Sequence, residues 1–87
     1  MNTDKDPDAI LDYRINWQDW LGPDTIETSE WIADAGLTVV FSSNTIHVTT
    51  VWLSGGVAGN RYKVVNRITT AMGRTDDRTL NVQVVEK

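Results

Sequence analysis

Between Ile10 and Val85 the apolar residues recur in short runs, several of them alternating with polar residues at period two, and each run is broken by a turn signal. Leu11, Tyr13, Ile15 and Trp17 alternate with Asp12, Arg14 and Asn16. Tyr62, Val64, Asn66 and Ile68 alternate with Lys63, Val65, Arg67 and Thr69. Period two is the signature of a strand with one buried face. Gly22-Pro23-Asp24, Asp34-Ala35-Gly36, Ser42-Ser43-Asn44, Ser54 to Asn60 and Gly73 to Asp77 supply the turns. Between them lie strands expected over Leu11–Trp17, Thr25–Ala33 (with a bulge near Ser29), Leu37–Phe41, Ile46–Leu53, Arg61–Ala71 and Thr79–Val85. No helical periodicity exceeds a turn. Six or seven short strands at this spacing predict an all-β antiparallel sandwich.

The N-terminal segment departs from the pattern. Asn2 to Asp8 reads NTDKDPD, with three acidic residues, a lysine and a proline. It is expected to be a flexible acidic arm over residues 1–9, followed by a single sandwich domain over residues 10–87.

Composition removes several classes of function. The chain of 87 residues has no cysteine, hence no disulfide, thiolate zinc site or cysteine nucleophile. That fits manufacture in a reducing cytoplasm. A formal net charge of −4 argues against sequence-independent nucleic-acid binding, which requires a basic surface. No apolar run approaches the length of about 18 residues that spans a membrane, and the polar N-terminus does not read as a signal peptide.

Catalytic and metal chemistry find no constellation either. His47 is the only histidine and stands between Ile46 and Val48 on an expected strand. Ser42, Ser43 and Ser54 lie in turns without a nucleophile elbow. Gly55-Gly56 and Gly59 lack the lysine and helix of a phosphate loop. Counted from Asp4 as a calcium loop, the sixth and twelfth positions hold Ala9 and Ile15, where glycine and glutamate are needed. The expectation is no enzyme, no cofactor and no metal.

What remains is surface. A core of this size does not easily hold four tryptophans, each burying on the order of 150–250 Å². Trp17 and Trp31 are expected inside. Trp20, beside the Gly22-Pro23 turn, and Trp52, out of phase with Val51 and Leu53, are expected at the surface as binding anchors. Val82 to Val85 is expected to be an edge able to add to a neighbour's sheet. Arg61, Lys63, Arg67, Arg74 and Arg78 gather in the last third, while the acid concentrates before Asp34. This polarity predicts head-to-tail self-association in a symmetric assembly. Arg67, Arg74, Asp76, Asp77 and Arg78 join Trp20 and Trp52 as interface candidates.

Tyr62 narrows the fold. It stands two residues before the inward-facing Val64 at the start of the penultimate strand. Immunoglobulin-like sandwiches place a tyrosine corner there, its hydroxyl bonded to backbone a few residues upstream, and antibody domains carry a cysteine where this chain has Val64. The expected fold is therefore an immunoglobulin-like antiparallel sandwich, with Tyr62, Val64, Trp17 and Trp31 as its structural residues.

Lys5-Asp6-Pro7-Asp8-Ala9-Ile10-Leu11-Asp12-Tyr13, Val51 to Gly59, Tyr62 to Thr70 and Gly73 to Arg78 stand out as segments. Together they resemble a family of tailed-phage virion proteins, described as fiber–tail adaptor or head–tail-region proteins with an immunoglobulin-like fold. The resemblance covers roughly positions 5 to 86 and supplies no catalytic residue. It implies a structural protein of the virion, in the tail or head–tail region, made in the bacterial host cytoplasm. Its partners would be tail, connector or fiber proteins and further copies of itself, with neither nucleic acid nor membrane. A capsid decoration protein and a small carbohydrate-binding module, with Trp20 and Trp52 stacking on sugar rings, are the alternatives.

Overall fold

Seven strands and one helical turn make up the protein in a computed structural model, which describes residues 1–86. They are β1 (Asn2–Lys5), β2 (Leu11–Asn16), α1 (Gln18–Leu21), β3 (Ile26–Ala33), β4 (Leu37–Asn44), β5 (Val48–Gly55), β6 (Arg61–Thr70) and β7 (Thr75–Val84). One sheet runs β1-β7-β6-β3 and the other β2-β5-β4. All pairings are antiparallel except that of β1 with β7. The fold is an all-β sandwich of two sheets.

The expected alternation positions the core. On β6, Tyr62, Val64, Asn66, Ile68 and Thr70 point inward and are buried, while Arg61, Lys63 and Arg67 point out. Leu80, Val82 and Val84 of β7 lie beside them, facing Leu37, Val51 and Leu53 of the second sheet. A second cluster, Ile15, Trp17, Leu21, Ile26 and Ile68, fills the end of the sandwich near α1. Each such side chain contributes about 1.5–3 kcal/mol by leaving water. Trp31 is half-buried and touches both clusters; its indole N–H has no partner among the described residues. Leu11, expected inside, lies on an edge strand and stays 39% exposed.

Around Tyr62 the backbone is closely fitted. The Tyr62 hydroxyl accepts a hydrogen bond from the Val57 N–H at 2.9 Å. Gly36, at φ +107°, lies so near the ring that a Cβ there would sit 2.8 Å from it. Positive φ and close approach together require glycine at this crossing between the sheets.

The flexible arm expected over residues 1–9 is corrected here. Asn2 to Lys5 form a strand in register with Asn81 to Val84. Lys5 is fully buried, and its ammonium donates to the carbonyls of Asp6 and Gly55, both at 2.8 Å. Composition alone treats a lysine as surface. Here its aliphatic stem is buried while two carbonyls satisfy the head, which is the condition for burying such a group. Because β1 covers the end of β7, the expected open edge at Val82–Val85 does not exist; the edge strands are β1, β3, β2 and β4, and the charged start of β7, Thr75 to Arg78, extends uncovered beyond β1. The bulge expected near Ser29 lies instead at Glu27, where the β3–β6 register shifts between Ile26 and Thr28. β7 begins at Thr75, four residues before the expected Thr79, because Thr70 and Arg74 close a tight turn through Gly73.

Candidate interaction surfaces

At one end of the sandwich the sequence Asn16-Trp17-Gln18-Asp19-Trp20 turns through α1. The Asn16 side chain accepts from the Gln18 N–H at 2.9 Å, and Gly22, at φ +59°, ends the turn before Pro23. The turn sends Trp17 into the core and leaves Trp20 half-exposed at the rim. The two rings meet edge to face, 5.5 Å apart. Arg78 covers Trp17 at 4.2 Å and donates to the Asn16 carbonyl at 3.1 Å. Arg74 covers Trp20 at 4.2 Å and donates to the Leu21 carbonyl at 2.8 Å. Both arginines are thus committed to tryptophan faces of their own chain, an arrangement worth about 0.5–1 kcal/mol when exposed and more when desolvated.

Asp24 pins this end. Its side chain is buried and accepts from the Arg74 Nε at 3.0 Å, the Thr25 N–H at 2.8 Å and the Met72 N–H at 3.1 Å. Burial alone would raise its pKa. The hydrogen bonds from the Thr70 hydroxyl, Thr25, Arg74 and Met72 outweigh that and hold it down at about 2, against an ordinary 3.8. A carboxylate whose folded pKa is depressed stabilises the fold fully above its unfolded pKa. That stability is lost as the pH falls from about 4 to about 2. In Asp24→Asn the acid limb of a stability–pH profile should flatten over that window, as read by thermal unfolding at each pH. A limb as steep as the parent's would show that Asp24 is not the group responsible. Beside this anchor, Leu21, Pro23, Met72 and Arg74 line an open pocket of about 360 Å³.

The other expected candidates lie on the sheet faces. Arg67 of β6 pairs two-pronged with Asp77 of β7 at 2.8 and 3.0 Å and approaches Glu30 of β3 at 4.0 Å. The hydrogen bonds to Asp77 raise the Arg67 pKa, and those from Arg67 lower that of Asp77. Asp76 caps its neighbour by accepting from the Asp77 N–H at 2.9 Å. On the opposite face Trp52 of β5 stands between Asp12 of β2 and Phe41 of β4, its ring 5.4 Å from Phe41.

The structure therefore distributes the expected site residues over three places. Trp20, Arg74 and Arg78 share the α1 end; Arg67 and Asp77 share the outer face of the four-stranded sheet, while Asp76, in register with the buried Ile68, is on the other side of β7; Trp52 stands on the outer face of the other sheet. A fourth feature lies where β1, β7 and β6 form a polar cleft of about 430 Å³ lined by Asn2, Asp4, Arg61, Lys63, Asn81 and Gln83, among others. There the acidic N-terminal segment lies beside the basic residues of the last third. The charge asymmetry along the sequence is thus folded back on itself at this face.

Two kinds of residue escaped the sequence reading. Val40 and Phe41 are more than half exposed. The run Leu37 to Phe41 contained the signal, since consecutive apolar residues on a strand cannot all face one side. Asn66 was also legible, because it shares phase with Tyr62, Val64 and Ile68.

Comparison with known proteins bears on all of these surfaces. The family described as podophage GP4 fiber-tail adaptor protein gp77 matches residues 5–83, a span that includes every candidate from Trp17 to Arg78. The chain belongs to this family. No curated protein matches it. Membership in the fiber-tail adaptor family makes it a structural component of the phage virion tail, in agreement with the resemblance seen in the sequence. No helix among the described residues is long and apolar enough to cross a membrane.

Proposed function

We propose that this adaptor attaches fibers to the podophage tail by binding a tail protein and a fiber protein through separate surfaces, in several copies. The observation that carries the reading, beyond family membership, is the placement of exposed apolar residues. The body measures 41 × 19 × 19 Å, and strands of eight to ten residues at about 3.3 Å per residue run along its length. At one end Ile46 and Met72 are exposed beside the half-buried Trp20; at the other, Ile10 and Val57 are exposed. Two apolar tips on a rigid rod support a bridging part better than a single pocket would.

On this reading the protein works by surface complementarity, without catalysis and without contact to nucleic acid or membrane. Multiple copies around the tail would multiply individually weak contacts through effective concentration. The strand order also favours the immunoglobulin-like type of sandwich. The third strand carries the half-buried Trp31 and sits beside the sixth, which opens with the braced Tyr62. Imaging of the phage particle with and without this protein tests the attachment role. Fibers should be seated on the tail in the first case and missing in the second, and fibers retained without it would overturn the reading.

A further inference from the structure

The four sheet edges are not equivalent. An exposed edge presents unpaired N–H and C=O groups, and proteins guard such edges with charge, bulges or shortness. β1 is only four residues long and carries Asp4. β2 carries Asp12 and Arg14. β3 carries Glu27 and Glu30, with its bulge at Glu27. β4 has eight residues and no charge. Its neutrality extends well past the strand, since no Asp, Glu, Lys or Arg occurs from Ala35 to Asn60 in a chain that is 23% charged.

The same strand carries apolar surface that the fold leaves uncovered on its flank, apart from the two tips. Val40 is 53% and Phe41 59% exposed, and Phe41 leans on Trp52 of the adjacent strand. The register shift between Val39 and Phe41 pushes Val40 outward and leaves Phe41 to Asn44 as a regular run against β5.

We infer that β4 is the self-association edge of this protein, pairing antiparallel with β4 of a second copy. The occupant follows from charge. In a two-fold antiparallel contact each strand meets its own sequence reversed, so a charge near the axis meets its own image and charges of one sign along the strand repel across it. A strand free of charge avoids that repulsion, and β4 is the one edge that meets this condition. Pairing would join two three-stranded sheets into one of six and cover Val40, Phe41 and the rim of Trp52 on both copies. The contact is smaller than the roughly 800 Å² per partner of a standard interface. It is therefore weak for two free chains and effective where copies are held side by side. The inference rests on the proposed action in several copies, and it adds which surface the copies share.

Sedimentation equilibrium on the full chain, from about 10 μM to about 1 mM, reads the outcome. The parent should show a concentration-dependent dimer. Val40→Lys and Phe41→Lys, both at exposed positions, should melt like the parent and weaken dimerisation by roughly a hundredfold, since each change enters a two-fold contact twice. Ile32→Lys, at a 49% exposed apolar position on the outer face of β3, should leave dimerisation unchanged. Hydrogen exchange should show amides within Thr38–Asn44 slowing as concentration rises. A chain that stays monomeric throughout, or a dimer that survives both β4 substitutions, overturns the inference. Either result leaves fiber attachment untouched, because that is read independently from particles lacking the protein.

Discussion

Trp17→Ala should destabilise the protein by about 3–5 kcal/mol, the cost of emptying a large aromatic site in a closed core. A domain of this size has about 5–15 kcal/mol in total, so the variant should lose much of its cooperative unfolding. Trp17 is fully buried among Ile15, Leu21, Ile26 and Ile68. It also underlies three other contacts: the edge of Trp20, the guanidinium of Arg78, and the side chain of Asn66, to which its indole N–H donates at 3.0 Å. Trp17→Phe separates these roles. It keeps most of the apolar volume and removes the donor, so it should cost only about 1–3 kcal/mol. Urea unfolding measures both, with the midpoint shifting and the slope unchanged for the phenylalanine variant. Equal losses in the two variants would contradict the assignment of Trp17 as a volume-filling core residue.

Asn66→Leu should cost about 2–4 kcal/mol despite replacing a polar core residue with an apolar one of similar size. Asn66 is fully buried at the centre of the sandwich and uses its whole amide. Its oxygen accepts from the Trp17 indole and from the Thr49 hydroxyl at 2.7 Å. Its nitrogen donates to the Ser29 hydroxyl at 2.9 Å and the Glu30 carbonyl at 3.0 Å. These partners come from β5, β3 and the β2–α1 junction, so one side chain ties the two sheets together. Leucine would leave the fully buried Trp17 and Thr49 without these bonds in a site closed to water, while Ser29 and Glu30 keep some access to solvent, and the penalty for the two orphaned buried groups exceeds the gain in apolar contact. In a double-mutant cycle with Trp17→Phe the losses should be less than additive, because both changes remove the same indole–amide bond. Full additivity would show that the two residues act independently.

The alternation of Tyr62, Val64, Asn66 and Ile68 and the turn residues around Gly22, Gly36 and Gly73 made the strands legible. Period two and glycine punctuation are local properties, and they carried most of the architecture. The partners of charged residues are not local. Lys5 read as part of a solvated arm because its two carbonyl acceptors include Gly55, fifty residues away. With it went the edge assignment, since the strand that covers β7 is the one the composition dismissed. Arg74 and Arg78 read as free cations for a partner because nothing in sequence sets them over Trp20 and Trp17. Trp52 was legible as outward from its phase on β5, whereas its contact with Phe41 depended on the β4–β5 register and the bulge at Val40.

The central proposal is that this small sandwich joins fibers to the tail. Cryo-electron microscopy of the phage, made with and without the protein, tests it most directly. All-β density of about 41 × 19 × 19 Å is expected at the fiber–tail junction, repeated around the tail. Without the protein, particles should have complete heads and tails and no fibers. Density for this protein on the capsid instead, or fibers still seated on the tail in its absence, would contradict it.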